Sequence, residues 1–70
     1  MKLKRLTELR KERKLTQKAL SKLLSVSEST YQRYESGTTE IPLVRLVTIA
    51  AFYDVPLDYI ANLTDQRKKH

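Results

Sequence analysis

The apolar positions of this chain recur at helical spacing and fall into five segments. Leu3, Leu6 and Leu9 repeat every third residue, the stripe of a helix running from about Lys2 to Lys14. Arg10 and Arg13 project into that same stripe, an unusual place for charge. A second helix starts after Thr16, whose hydroxyl suits an N-cap, and ends at Leu24 or Ser25, with Leu20, Leu23 and Leu24 as its buried face. After a very short turn, Ser27 is the next cap, and Glu28 lies where a negative charge suits the helix dipole. Gly37 is a stop signal, which puts the third helix at about Glu28 to Ser36. The fourth follows "TTEIP", with Pro42 in its first turn, and ends at Asp54. Its apolar face holds Leu43, Leu46, Val47, Ile49, Ala50 and Tyr53, which makes it the main core helix. The fifth begins near Leu57, carries Tyr59, Ile60 and Leu63, and is capped by Asn62. The expectation is an all-α, compact five-helix bundle.

The third helix departs from the amphipathic pattern. Between Val26 and Gly37 its large apolar residues are Tyr31 and Tyr34, which project to one side and are expected in the core. The opposite side carries Ser29, Gln32, Arg33 and Ser36, side chains that donate and accept hydrogen bonds. Two short helices joined by so short a turn form a helix-turn-helix arrangement. A polar face on its second helix fits the major groove, where base edges present a code of donors and acceptors. An ordinary solvent-exposed face has the same composition, so projection alone leaves both readings open.

Charge tilts the balance toward a polyanion. Residues 1–22 hold nine Lys/Arg against Glu8 and Glu12, net +7; residues 23–66 hold two Arg against six acids, net −4; the tail adds +3. There is no Cys, and the one His is His70, so neither a thiolate nor an enclosed imidazole is on hand for catalysis or zinc. The longest apolar run, "IAAFY", is far shorter than the ~20 residues of a membrane span. These features predict a cytoplasmic protein with no enzymatic activity, no cofactor, no metal, no membrane association and no small-molecule ligand. One domain is expected over residues 1–70, with its core at about 6–62, its helix-turn-helix at about 17–36 and a basic tail at 66–70.

The stretch "LTQKALSKLLSVSESTYQRYESG", followed by "IPLVRLVTIAAFYDVPLDYI", resembles the Xre/Cro-like, lambda-repressor-like helix-turn-helix domain of phage repressors and bacterial regulators. The resemblance runs from about Leu6 to Asn62. It implies that the third helix lies in the major groove of operator DNA. Carried onto this sequence, it implies that Gln17 bonds a phosphate and that Glu28, Ser29 and Arg33 face base edges. Gln32 is expected on base or phosphate, and Ser36, Thr38 and Thr39 along the backbone. Lys18 and Ser27 complete the expected DNA-contact set. Three positions depart from the family pattern: Ser25 where the turn usually has Gly, Ser21 where Ala is frequent, and Lys14 where a helix-ending Gly is common.

Two further expectations follow. Arg10 and Glu35 both project inward and should pair, because an unpaired buried charge is costly; the resemblance points to the same pair. Leu57, Tyr59, Ile60 and Leu63 exceed what a short last helix needs for core, and are expected to form a homodimer contact that is weak without DNA. The function implied is a sequence-specific regulator of transcription, a repressor acting as a dimer on a palindromic operator of double-stranded DNA. The competing reading is a protein-interaction module on the same fold, of the antitoxin or antirepressor type, which an apolar patch on the fifth helix would favour.

Overall fold

The computed structural model describes residues 2–67, so most of the basic tail, from Lys68 on, lies outside the described residues. Those residues form five α-helices and no strand: α1 (Lys4–Glu12), α2 (Gln17–Leu24), α3 (Glu28–Ser36), α4 (Leu43–Tyr53) and α5 (Leu57–Ile60). They divide into two compact units, α1 to α3 in the stretch that ends at Glu40 and α4 with α5 from Ile41 onward. No helix among the described residues is long and apolar enough to cross a membrane.

The helix starts depend on single side chains. Thr16 Oγ1 accepts the Ala19 N–H at 3.0 Å, and Ser27 Oγ accepts the Thr30 N–H at 3.0 Å. α1 is shorter at both ends than its periodicity suggested. Leu3 makes no side-chain cap bond there. Pro42 stands one place before the first turn of α4, as its N-cap, because its ψ of 144° is extended.

The helix ends share one device. After each helix a residue takes a left-handed conformation: Lys14, Ser25, Gly37, Asp54 and Asn62. The amide of the following residue then reaches back five positions, as in Leu15 N–H to Arg10 O, 3.0 Å, and Val26 N–H to Ser21 O, 3.0 Å. The same bond closes α3 (Thr38 to Arg33), α4 (Val55 to Ala50) and α5 (Leu63 to Asp58). This is the Schellman arrangement, which satisfies carbonyls that the helix end would leave bare. Gly is used once; Lys14 and Ser25 hold the same geometry against the steric cost of a Cβ.

In the first unit Leu3, Leu6, Leu9, Leu20, Leu24, Tyr31 and Tyr34 are buried, and the two tyrosine rings meet edge-on at 6.5 Å. Arg5 is buried with them, whereas Arg13, which projects into the leucine stripe, is exposed. Leu23 is exposed, contrary to expectation. The buried side of α2 is rotated toward Ser21, which is small and bonds its own helix (Oγ to Lys18 O, 2.7 Å). In the second unit Leu46, Ile49, Ala50, Tyr53, Val55, Tyr59 and Ile60 are buried. Leu43 and Val47, expected in the core, are instead exposed along with Val44. α4 is apolar nearly all round, so periodicity alone gave no means of choosing its inner face.

The dimer contact expected on α5 needs the same correction. Tyr59 and Ile60 are buried within the chain itself, and the helix is only four residues long. Of that set, Leu57 is half-buried and Leu63 is exposed.

Candidate nucleic-acid interface

The site is built on α3. Tyr31, Tyr34 and Glu35 turn one side of it inward, which forces Glu28, Ser29, Gln32, Arg33 and Ser36 outward, and all five are exposed. α2 packs against α3 and brings the half-buried Gln17 and the exposed Lys18 into the same unit. Thr38 and Thr39 follow on the exposed loop after Gly37.

These groups are not equally available. Ser27 Oγ caps α3 and donates to Thr30 Oγ1 at 2.8 Å, so both roles of its hydroxyl are used inside the protein. Ser36 Oγ bonds Arg33 O at 3.2 Å and lies 2.9 Å from Thr38 Oγ1. These hydroxyls chiefly shape the two ends of the helix. Glu28, Ser29, Gln32 and Arg33 form its polar outer face.

Beneath that face lies a charge cluster centred on Glu35, which is 5 % exposed. Arg10 Nε donates to Glu35 Oε2 at 2.8 Å and Arg10 Nη2 to Glu35 Oε1 at 3.2 Å, a two-pronged pair. Arg10 Nη1 also donates to Leu15 O at 3.0 Å, which ties the pair to the end of α1. Thr7 Oγ1 and Gln17 Nε2 donate to Glu35 Oε1 at 2.9 and 3.2 Å. Burial pushes the Glu35 pKa up, but hydrogen bonds from Arg10, Tyr31, Thr7 and Gln17 outweigh it and hold the carboxyl below its ordinary value. The group is a carboxylate with its charge answered by Arg10.

Sequence reasoning missed two parts of this arrangement. Gln17, expected on a phosphate, spends one amide N–H on Glu35. Thr7 was not singled out, although it stands one turn before Arg10 on α1, a spacing that puts both on one side of the helix. Above the carboxylate is an open cavity of about 220 Å³, lined by Lys2, Thr7, Gln17, Gln32, Glu35 and Ser36. It therefore joins three of the expected contact residues, Gln17, Gln32 and Ser36, to a lysine from the basic first segment.

Residues 6–60 match the model of a family described as helix-turn-helix. Over 61 residues the chain is 44 % identical to an uncharacterized HTH-type transcriptional regulator, YobD, of Bacillus subtilis (strain 168), covering 87 % of this chain and 54 % of that protein. It is 35 % identical over 68 residues to the HTH-type transcriptional regulator AnsR of the same organism, covering 97 % of this chain and 59 % of that one. A crystal structure of a transcriptional regulator from Listeria innocua superposes with a TM-score of 0.74 at 26 % identity, over 93 % of this chain and 58 % of that one. The chain thus spans a little over half the length of each of these relatives.

Proposed function

This chain belongs to the helix-turn-helix family of the Xre/Cro type, and we propose from that membership that it reads double-stranded DNA for a transcriptional regulator. The observation that carries the proposal is α3: a helix fixed from behind by Tyr31, Tyr34 and Glu35, with a hydrogen-bonding outer face of Glu28, Ser29, Gln32 and Arg33. Phosphate contacts set position and base contacts set sequence. Gln17 and Lys18 at the start of α2, with Thr38 and Thr39 after α3, supply the positioning set, and the basic first segment supplies long-range attraction. Arg33 is the cation of α3, and its guanidinium suits the paired acceptors of guanine. The protein acts in the cytoplasm, as a repressor that occupies its operator.

One recognition helix covers too few base pairs for useful specificity, so two copies bind a palindromic site one helical turn apart. Three exposed apolar residues in the first half of α4, Leu43, Val44 and Val47, replace α5 as the contact between them. Val44 is 72 % exposed and Leu43 66 %. Three side chains make a patch far smaller than the ~800 Å² per partner of a stable interface, which makes the dimer weak until DNA holds both copies. A surface of this kind also suits another protein, and the experiment separates the two. Selection from a random duplex pool should recover a two-fold symmetric sequence, bound with a log–log salt slope of ~0.9 per phosphate neutralised by a Lys or Arg. Absence of DNA binding even at low salt would leave α4 as a docking face and refute the DNA reading.

A further inference from the structure

The Glu35 carboxylate is an unexpected neighbour for a DNA surface. An ionised carboxylate only accepts hydrogen bonds, so it fixes which end of the Gln17 amide it meets: the nitrogen, which lies 3.2 Å from Oε1. A primary amide nitrogen carries two N–H groups. One is spent on Glu35, which leaves one more on a residue that lines the open cavity with Lys2, Gln32 and Ser36. Turning the amide over would set its carbonyl oxygen against the carboxylate, two acceptors facing each other. The carboxylate is itself immobilised, with Arg10 gripping both oxygens and Thr7 bonding one. Its charge is balanced locally by Arg10, so it can orient Gln17 without presenting a net negative charge to an approaching phosphate.

We infer that Glu35 is a positioning residue for DNA: it holds the Gln17 amide with a donor, not an acceptor, turned toward the phosphodiester backbone. The inference rests on the DNA reading above. Glu35 touches no DNA in this arrangement; it acts through Gln17, and its effect therefore disappears when Gln17 is removed.

The test is a binding cycle on a fluorescein-labelled duplex of generic sequence, since a phosphate contact needs no operator. Glu35→Gln, Gln17→Ala and the double variant are titrated at several salt concentrations, with Thr7→Val as the control. Thr7→Val removes another bond to the same carboxylate oxygen and leaves Gln17 in place. Glu35→Gln should weaken binding roughly tenfold, the worth of one charge-assisted bond, without lowering the salt slope, because a neutral amide on a phosphate releases no counterion. In the Gln17→Ala background the same change should no longer weaken binding, and Thr7→Val should leave the affinity unaltered. Where Glu35→Gln fails to fold, the wild-type protein still decides. The Gln17 side-chain amide protons should shift as Glu35 titrates in an NMR pH series. If Glu35→Gln weakens binding equally with and without Gln17, or the Gln17 signals ignore the titration, the positioning role is wrong and the DNA reading stands. If the wild-type protein binds no duplex at any salt, both fall.

Discussion

Arg10 and Glu35 offer the sharpest energetic test of the fold. Their side chains are 13 % and 6 % exposed, and two hydrogen bonds join them. Removing one member of such a pair typically costs ~3–5 kcal/mol, because the survivor is left charged and poorly solvated. Two features reduce that figure here. Without Arg10, the carboxylate keeps donors from Thr7 and Gln17. Without Glu35, the guanidinium keeps Leu15 O, and the open cavity lets water reach the amide of Gln17. Arg10→Met and Glu35→Leu should therefore each cost about 2–4 kcal/mol. The double variant exchanges an ion pair for two apolar side chains of similar volume and should cost only ~1 kcal/mol. The expected coupling is thus at least ~3 kcal/mol, well beyond the ~0.5 kcal/mol scatter of independent sites. The assay is urea unfolding at low temperature, because a chain this size has only a few kcal/mol in hand, on the order of 0.05–0.15 per residue. Additive single effects would show that the two charges do not stabilise each other and would refute the reasoning.

The same pair has a pH signature. In the wild-type protein the folded-state pKa of Glu35 is depressed. Its stabilisation is complete above the unfolded carboxylate value and disappears as pH falls through the folded one. In Arg10→Met the strongest stabiliser of the charge is gone, burial dominates, and the folded pKa should rise above the unfolded value. Protonation then favours the folded variant, so its deficit relative to wild type should narrow as pH falls from neutrality toward the acid range. A deficit independent of pH would mean that Arg10 contributes packing and not charge.

Other outcomes follow from the helix ends and the exposed faces. Ser25→Gly and Lys14→Gly should each stabilise the fold by up to ~1 kcal/mol in urea titrations, because Gly enters the left-handed conformation without a steric cost but loses more entropy on folding. Asp54→Gly and Asn62→Gly should gain less, since Asp and Asn tolerate that conformation better. Against single-base variants of the selected operator, Arg33→Ala should relax preference at one base pair per half-site by ~1–3 kcal/mol. Lys18→Ala should weaken all variants alike; equal losses for Arg33→Ala would make Arg33 a phosphate contact. Val44→Glu should abolish cooperative operator binding while circular dichroism shows an unchanged helix content; retained cooperativity would move the two-fold contact off α4.

What the sequence made legible follows from how locally each feature is encoded. The starts of α2 and α3 could be read because one hydroxyl and its neighbouring amide suffice to make a cap, as Thr16 and Ser27 do. Gly37 was legible as a stop for the same reason. Lys14 and Ser25 were visible only as departures from a pattern, yet both are followed by an apolar residue, Leu15 or Val26, which is the other half of the same end motif. The inner face of α4 was not legible. Leu43, Val44 and Val47 are as apolar as Leu46 and Ile49, and only tertiary packing chooses between them. α5 misled for a related reason: four apolar residues looked like a surplus, but Tyr59 and Ile60 are used inside the chain. At the site, projection set the outer face of α3, whereas the bond from Gln17 to Glu35 joins residues 18 apart on two helices and has no sequence period to announce it.

That bond bears on why position 35 carries a charge at all. A leucine there would avoid the desolvation cost, and replacing buried ion pairs by apolar side chains is often neutral or stabilising. With only ~1 kcal/mol separating the pair from its apolar replacement, stability accounts for little of the choice of Glu35. Apolar contacts are also non-directional one by one, whereas hydrogen bonds have direction. The donors to Glu35 come from α1 (Thr7 and Arg10) and from α2 (Gln17), and the acceptor belongs to α3. One carboxylate thus fixes three helices in angle as well as in distance. The proposed DNA reading requires that constraint, since in it the side chains of α3 meet base edges while the start of α2 meets the backbone. The charge is the component that cannot be exchanged for volume: Arg10 keeps it ionised, ionisation keeps it purely an acceptor, and a pure acceptor holds Gln17 in one orientation.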